Sequence, residues 1–188
     1  MRFGTVLVVG AGQMGAGIAQ VLAASGRRVL LHDAASDAVE RGLGAMRQSL
    51  ERLAARGSEL EPDAVLERVH AVDDLAEANL MIEAVVEDAS VKEDVFRRAD
   101  GILPAGAILA SNTSSIPIAS LAAATHRPER VIGMHFFNPV PVMTLVEVVR
   151  GPGTSDETVS EIEELARELG KTPAEVNDFP GFVSNRIL

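Results

Sequence analysis

Cysteine is absent from the 188 residues, which excludes disulfides, cysteine-based zinc sites and thiol catalysis. No metal site is expected. Tryptophan and tyrosine are absent too, and six phenylalanines are too few to stack the bases of a single-stranded nucleic acid. Basic residues are scarce: 17 Lys and Arg stand against 27 Asp and Glu, a formal net charge of −10. An acidic surface cannot neutralise phosphate backbones, so no nucleic-acid partner is expected. Charge is missing altogether from Phe3 to Gly26, a stretch long enough to span a membrane. Yet Gly4, Gly10, Gly12, Gly15, Gly17 and Gly26 punctuate it, and Gln13 and Gln20 sit inside. Glycine at that density unwinds a helix, and glutamine in hydrocarbon is costly. The stretch reads as a buried strand, a glycine turn and a buried helix. No membrane partner is expected, and the cytoplasm is the expected compartment.

An apolar fraction of 47% with 23% charged residues is that of an ordinary globular chain, and the length suits one substantial domain. Short apolar runs alternate with longer helical patterns. Val6 to Val9 and Arg28 to His32 read as strands, followed by Val69 to Val72, Leu80 to Ala84, Ala107 to Ala110, Val131 to Met134 and Leu145 to Val149. Helical patterns cover Met14 to Ala24, Val91 to Ala99 and Ser155 to Leu169. The alternation predicts an α/β fold, a Rossmann-type, doubly wound and mostly parallel sheet. Residues 36–68 are too long for one crossover helix. Ser36 reads as an N-cap, the pattern runs to about Arg56, Gly57-Ser58 breaks it, and Pro62 opens a second short helix. A helical hairpin projecting from the sheet is expected. Arg41, Ala45, Ser49, Arg52 and Arg56 fall on one helical face, either a solvated charge row or a landing strip for an anionic ligand.

Gly10-Ala11-Gly12-Gln13-Met14-Gly15 matches G-x-G-x-x-G, between an apolar strand and a helix. In that context Gly10 permits a tight turn, Gly12 lets a pyrophosphate approach the backbone, and Gly15 lets helix and strand pack closely. Asp33, ending the second strand, is placed to accept ribose hydroxyls and to repel a 2′-phosphate, favouring NAD over NADP. Ser111-Asn112-Thr113-Ser114-Ser115 gathers hydroxyls at a strand end, and His135-Phe136-Phe137-Asn138-Pro139 follows the next strand. Glu147 interrupts the apolar run Leu145 to Val149, which reads as a parallel strand, and a buried carboxylate there needs a partner. His135 is the candidate, with the pair expected near the centre of the sheet. A histidine oriented by a carboxylate suits removal of a hydroxyl proton as hydride leaves. His32, His70 and His126 have no comparable company and are expected to be structural or exposed.

These residues resemble the NAD-dependent 3-hydroxyacyl-CoA dehydrogenases, in the manner of the 3-hydroxybutyryl-CoA enzymes. The resemblance covers nearly the whole chain and is most specific in Ser111 to Ser115, in His135 to Met143 and in Pro180-Gly-Phe-Val-Ser-Asn-Arg186. It implies that His135 is the catalytic base, that Glu147 orients it, and that Ser114 and Asn185 position the substrate. It implies cofactor contacts at Gly10, Ala11, Gly12, Gln13, Met14, Gly15, Asp33, Glu87, Lys92, Ser114 and Asn138. Coenzyme A contacts fall on Ser49, Arg56 and Ser114. The reaction implied is reversible oxidation of an (S)-3-hydroxyacyl-CoA, with NAD as cofactor and an acyl-CoA as partner. Residues 1–180 are expected to form the NAD-binding domain, and 181–188 to begin a helical domain that in the family completes the cleft and forms the dimer. Two other readings share the glycine loop: a sugar-acid dehydrogenase of the L-gulonate type, and a non-catalytic NAD-binding module.

Overall fold

The computed structural model describes residues 3–35 and 37–178. The N-cap expected at Ser36, the substrate contact expected at Asn185 and the second domain expected from 181 lie outside the described residues.

Eight strands form one sheet: β1 (Thr5–Val9), β2 (Arg28–His32), β3 (Val69–Ala71), β4 (Leu80–Glu83), β5 (Ile108–Ser111), β6 (Val131–Phe136), β7 (Leu145–Arg150) and β8 (Thr172–Asn177). Their spatial order is β3-β2-β1-β4-β5-β6-β7-β8. The chain winds outward from β1 to β3, returns to β4 beside β1, and continues to the far edge. The switch in direction opens a crevice beyond the carboxyl ends of β1 and β4, where ligands of open α/β sheets bind. Along β1, Val6 and Val8 enter one core, and Leu7 and Val9 the other. The strand is thus buried on both faces, as its unbroken apolar run requires. Helices α1 (Gln13–Ala24), α2 (Ala38–Ala54) and α6 (Asp156–Glu168) cover the first face, and α4 (Ala89–Ile102) and α5 (Ile118–Ala123) the second.

The hairpin forms as its punctuation dictates. Gly57 adopts φ +90° just beyond α2, and Ser58 N–H donates to the carbonyl of Leu53. Pro62 opens α3 (Pro62–Leu66). Rather than projecting from the sheet, α2 lies on α1, with Met46 and Leu50 buried in the same core. At Gly42 a Cβ would meet the Ala11 carbonyl oxygen at 2.7 Å, so α2 presses directly on the glycine loop.

Other expectations are corrected or extended. β7 runs antiparallel to β6, because the link between them spans only residues 137–144, too short for the crossover that parallel neighbours need. The strand β8 and the helix α5 are additions to the elements expected. β8 contains Pro173 and pairs only with β7, as proline tolerates at a sheet edge. α5 starts after Pro117, where the Asp178 carboxylate accepts from the amides of Ile118 (2.9 Å) and Ala119 (2.8 Å).

Candidate active site

The site is built at the ends of β1, β2, β4, β5 and β6, with β7 alongside. After β1, Gly10 adopts φ +101°, and a Cβ there would lie 2.5 Å from the Ala84 carbonyl oxygen. A Cβ on Gly15 would lie 1.8 Å from the carbonyl oxygen of Gly10, so the motif's outer glycines are steric necessities. Gly12 differs: nothing stands within 4 Å of its virtual Cβ. Open space there lies over the amino end of α1, whose first amides have no intrahelical acceptor and favour an anion. Gln13 begins the helix and Met14 packs against the core. Asp33 is fixed on the loop: its Oδ2 accepts from Ala11 N–H at 2.7 Å and its Oδ1 from Ala35 N–H at 2.9 Å. Asp33 lines both a main cavity of about 630 Å³ and a second slot of about 490 Å³ walled by Val85, Val86, Val91 and Val95. The residues therefore fit a dinucleotide: open backbone for a pyrophosphate, a carboxylate for a ribose, and an apolar slot for a flat ring.

The ends of β4 and β5 are joined by a polar network. Glu83, fully buried, accepts from Lys92 Nζ (2.6 Å), Val85 N–H (2.7 Å) and Ser111 Oγ (2.6 Å). Lys92, also buried, lies 3.3 Å from Glu87 Oε2. Glu87 Oε1 accepts from Thr113 Oγ1 (2.5 Å) and from the amides of Ser114 (2.9 Å) and Ser115 (3.2 Å). Partial burial by itself would raise the Glu87 carboxyl, but the Thr113 hydroxyl, the Lys92 charge and the Ser114 and Ser115 bonds outweigh it and hold it below the ordinary range. Glu83 is a site residue beyond those expected, and Ser111 was expected only as one hydroxyl of the Ser111 to Ser115 cluster. A lone glutamate closing an apolar run, as in Leu80-Met-Ile-Glu83, was the available signal.

His135 and Glu147 are direct cross-strand partners in the antiparallel β6–β7 register. Side chains so placed share one face, and His135 Nδ1 lies 2.8 Å from Glu147 Oε2. Both residues are buried, and the Phe137 ring tilts against the imidazole at 4.7 Å. The pair sits toward the β8 side of the sheet, not at its centre. Asn112 secures the same strand end, its Oδ1 accepting from Phe136 N–H at 2.8 Å.

The main cavity runs between the glycine loop, the 138–141 segment with Asn138, and one face of α2. Arg41, Ala45, Ser49 and Arg52 line it. Arg56 does not, because α2 ends at Ala54 and the residue falls beyond the helix. Arg41 is paired with Asp37, so Arg52 is the cavity's better placed cation. Outside the site, His126 is exposed and meets Asp100 at 2.8 Å. His32 is buried 3.2 Å from the Val72 carbonyl oxygen and lines the second slot beside Asp33. Among the described residues, no helix is long and apolar enough to cross a membrane, and no cluster of three or more His, Asp or Glu could hold a metal ion.

Comparison with known proteins agrees with this geometry. Residues 5–179 match the family model described as the 3-hydroxyacyl-CoA dehydrogenase NAD binding domain. A probable 3-hydroxybutyryl-CoA dehydrogenase of Deinococcus radiodurans is 53% identical across the whole chain, which covers 68% of that relative. The counterpart in Bacillus subtilis is 50% identical across the whole chain, which covers 67% of it. A crystal structure of (S)-3-hydroxybutyryl-CoA dehydrogenase from Ralstonia eutropha superposes with a TM-score of 0.94 at 45% identity, over 98% of this chain and 67% of that one. The chain thus spans about two thirds of the length of these relatives. Glycine loop, acid at the second strand and matched family model agree: the chain belongs to the 3-hydroxyacyl-CoA dehydrogenases, whose NAD-binding domain it contains.

Proposed function

We propose that this domain serves an NAD-dependent enzyme interconverting (S)-3-hydroxyacyl-CoA and 3-oxoacyl-CoA, with His135 as the base. One observation carries the reading: a buried imidazole held at 2.8 Å by a buried carboxylate, at the strand ends where the dinucleotide loop opens. With Nδ1 bonded to Glu147, the proton-accepting nitrogen is Nε2. The carboxylate fixes the tautomer and stabilises the imidazolium that forms. Ser114, held by Glu87 through its amide, hydrogen-bonds the reacting oxygen in this reading, and the resemblance gives Asn185 the same task. NAD, when bound, supplies the hydride acceptor.

Within the network, Glu87 faces the cofactor's ribose, while Lys92, buried between Glu83 and Glu87, holds that carboxylate in place. The slot at Val86 and Val91 takes the adenine, and Asp33 takes the ribose between slot and main cavity. Ser49 and Arg52 on α2 receive the coenzyme A portion. The cytoplasm is the compartment in this reading, and any dimer is assigned to residues beyond this domain.

The test is NADH consumption driven by acetoacetyl-CoA. His135→Ala is expected to reduce turnover roughly 1,000-fold while NADH still binds. Turnover that survives the substitution would contradict the assignment. Oxidation of L-gulonate in place of acetoacetyl-CoA reduction would move the chain to the sugar-acid reading.

A further inference from the structure

Of the buried ionisable side chains that the proposed chemistry leaves unused, Arg27 and Glu161 are ion-paired, whereas Lys171 is held by carbonyls. Lys171, in the link between α6 and β8, is 8% exposed, and its Nζ donates to the carbonyls of Val140 (2.6 Å) and Met143 (2.7 Å). Among the described residues its ammonium meets no carboxylate within ion-pair distance, and the nearby Glu168 is taken up by Arg27. Burial pushes the Lys171 amine down from its ordinary range, so the position disfavours the charge it carries. A methionine would fill the same space without that desolvation cost. Lysine is retained against a penalty, and what it delivers is geometry.

That geometry belongs to the turn following Asn138. Within the turn, the amides of Val142 and Met143 both donate to the Pro139 carbonyl, at 2.9 and 3.0 Å. Helix α1 also presses on Val140, where a Cβ at Gly17 would lie 2.9 Å from the Val140 Cβ. Asn138, Pro139, Val140 and Pro141 form the wall of the main cavity beside the glycine loop. Helix α1 packs on the turn at Val140, and the ammonium ties the carbonyls of Val140 and Met143.

We propose that Lys171 is a positioning residue that fixes the 138–143 turn, thereby setting where Asn138 meets the cofactor and how wide the acyl-CoA cavity stands. The proposal rests on the function proposed above, but its test can fail separately. Amide hydrogen exchange and NADH titration are to be measured on the full chain and on Lys171→Met and Lys171→Arg. In Lys171→Met the Val142 and Met143 amides are expected to exchange about tenfold faster, while Leu7 and Met81 in the central strands do not change. The NADH Kd is expected to rise about fivefold, and where turnover is measured the KM for acetoacetyl-CoA rises while kcat stays within about threefold. Lys171→Arg, which keeps two donors and the charge, should restore most of the loss.

Unchanged turn exchange in Lys171→Met, or equal acceleration throughout the sheet, would overturn the proposal. If Lys171→Met does not fold, Val142→Gly loosens the same turn at an exposed position and should raise the NADH Kd similarly. An unchanged Kd there would overturn it as well. Failure of the unaltered chain to bind NADH would sink the functional reading instead, and exchange in the turn would still decide what Lys171 holds.

Discussion

The glycine loop after β1 and the β6–β7 hairpin lie along one sheet but prepare for ligands in opposite ways. At the loop, side chains are withheld: Gly10 and Gly15 leave no room for a Cβ, and Gly12 keeps space clear above the end of α1. Recognition there is by backbone amides and the field of a helix terminus. At the hairpin, side chains are supplied and buried against polar partners, His135 with Glu147, and Lys171 of the α6–β8 link with two carbonyls of the turn. An error at the loop is steric and disturbs folding or binding. An error at the hairpin is electrostatic or positional and disturbs chemistry or alignment.

Substitutions can break that contrast, beginning with the largest effect. Gly15→Ala forces a methyl into the Gly10 carbonyl, so the loop must rearrange. Stability is expected to fall by about 3 kcal/mol, measured by denaturant unfolding, with loss of NADH binding. Glu147→Gln keeps the shape of the hairpin partner but removes its charge. A fall in kcat of roughly 100- to 1,000-fold is expected, with NADH titration unaltered. Gly12→Ala sharpens the comparison inside the loop itself. Its methyl meets no protein atom, so unfolding should move by less than about 0.5 kcal/mol. The NADH Kd should nevertheless rise about tenfold, roughly 1.4 kcal/mol, because the methyl occupies the ligand's space.

The smallest effect concerns the network between the two regions. Glu87 is held below the ordinary carboxyl range in the folded chain. Its contribution to stability is therefore complete above the unfolded value and is lost as pH falls through the lower folded one. Glu87→Gln should flatten the acid side of the stability curve by a small amount, since the side chain is 39% exposed. Denaturant unfolding across acidic pH checks the slope.

The two regions were also unequally legible. The glycine loop is written in residues that tolerate no substitute, so strand, turn and helix follow directly. The hairpin of α2 and α3 was equally plain, because Gly57 and Pro62 mark its interruption. His135 and Glu147 were found as a pair through the cost of a buried carboxylate, although β7 runs opposite to the direction assumed. The short link with Pro139 and Pro141 was the overlooked signal. β8 escaped because Thr172-Pro-Ala-Glu-Val-Asn177 lies at a sheet edge and has no apolar run, and α5 because it is too short to show a period. Arg56 was set on the face of Ser49 and Arg52 by extending a helical period, but α2 ends at Ala54 and the residue does not line the cavity; its coenzyme A contact came from the resemblance alone. Lys171 gave no local sign at all: its acceptors lie 31 and 28 residues earlier and meet it only in the fold.

The assignment of the base rests on which imidazole nitrogen carries the proton. Nitrogen NMR of the His135 ring reads that directly. A single tautomer protonated at Nδ1, lost in Glu147→Ala, is the result predicted. A ring protonated at Nε2 with Nδ1 bare, or one indifferent to removal of Glu147, would contradict the pairing on which the proposed reaction depends.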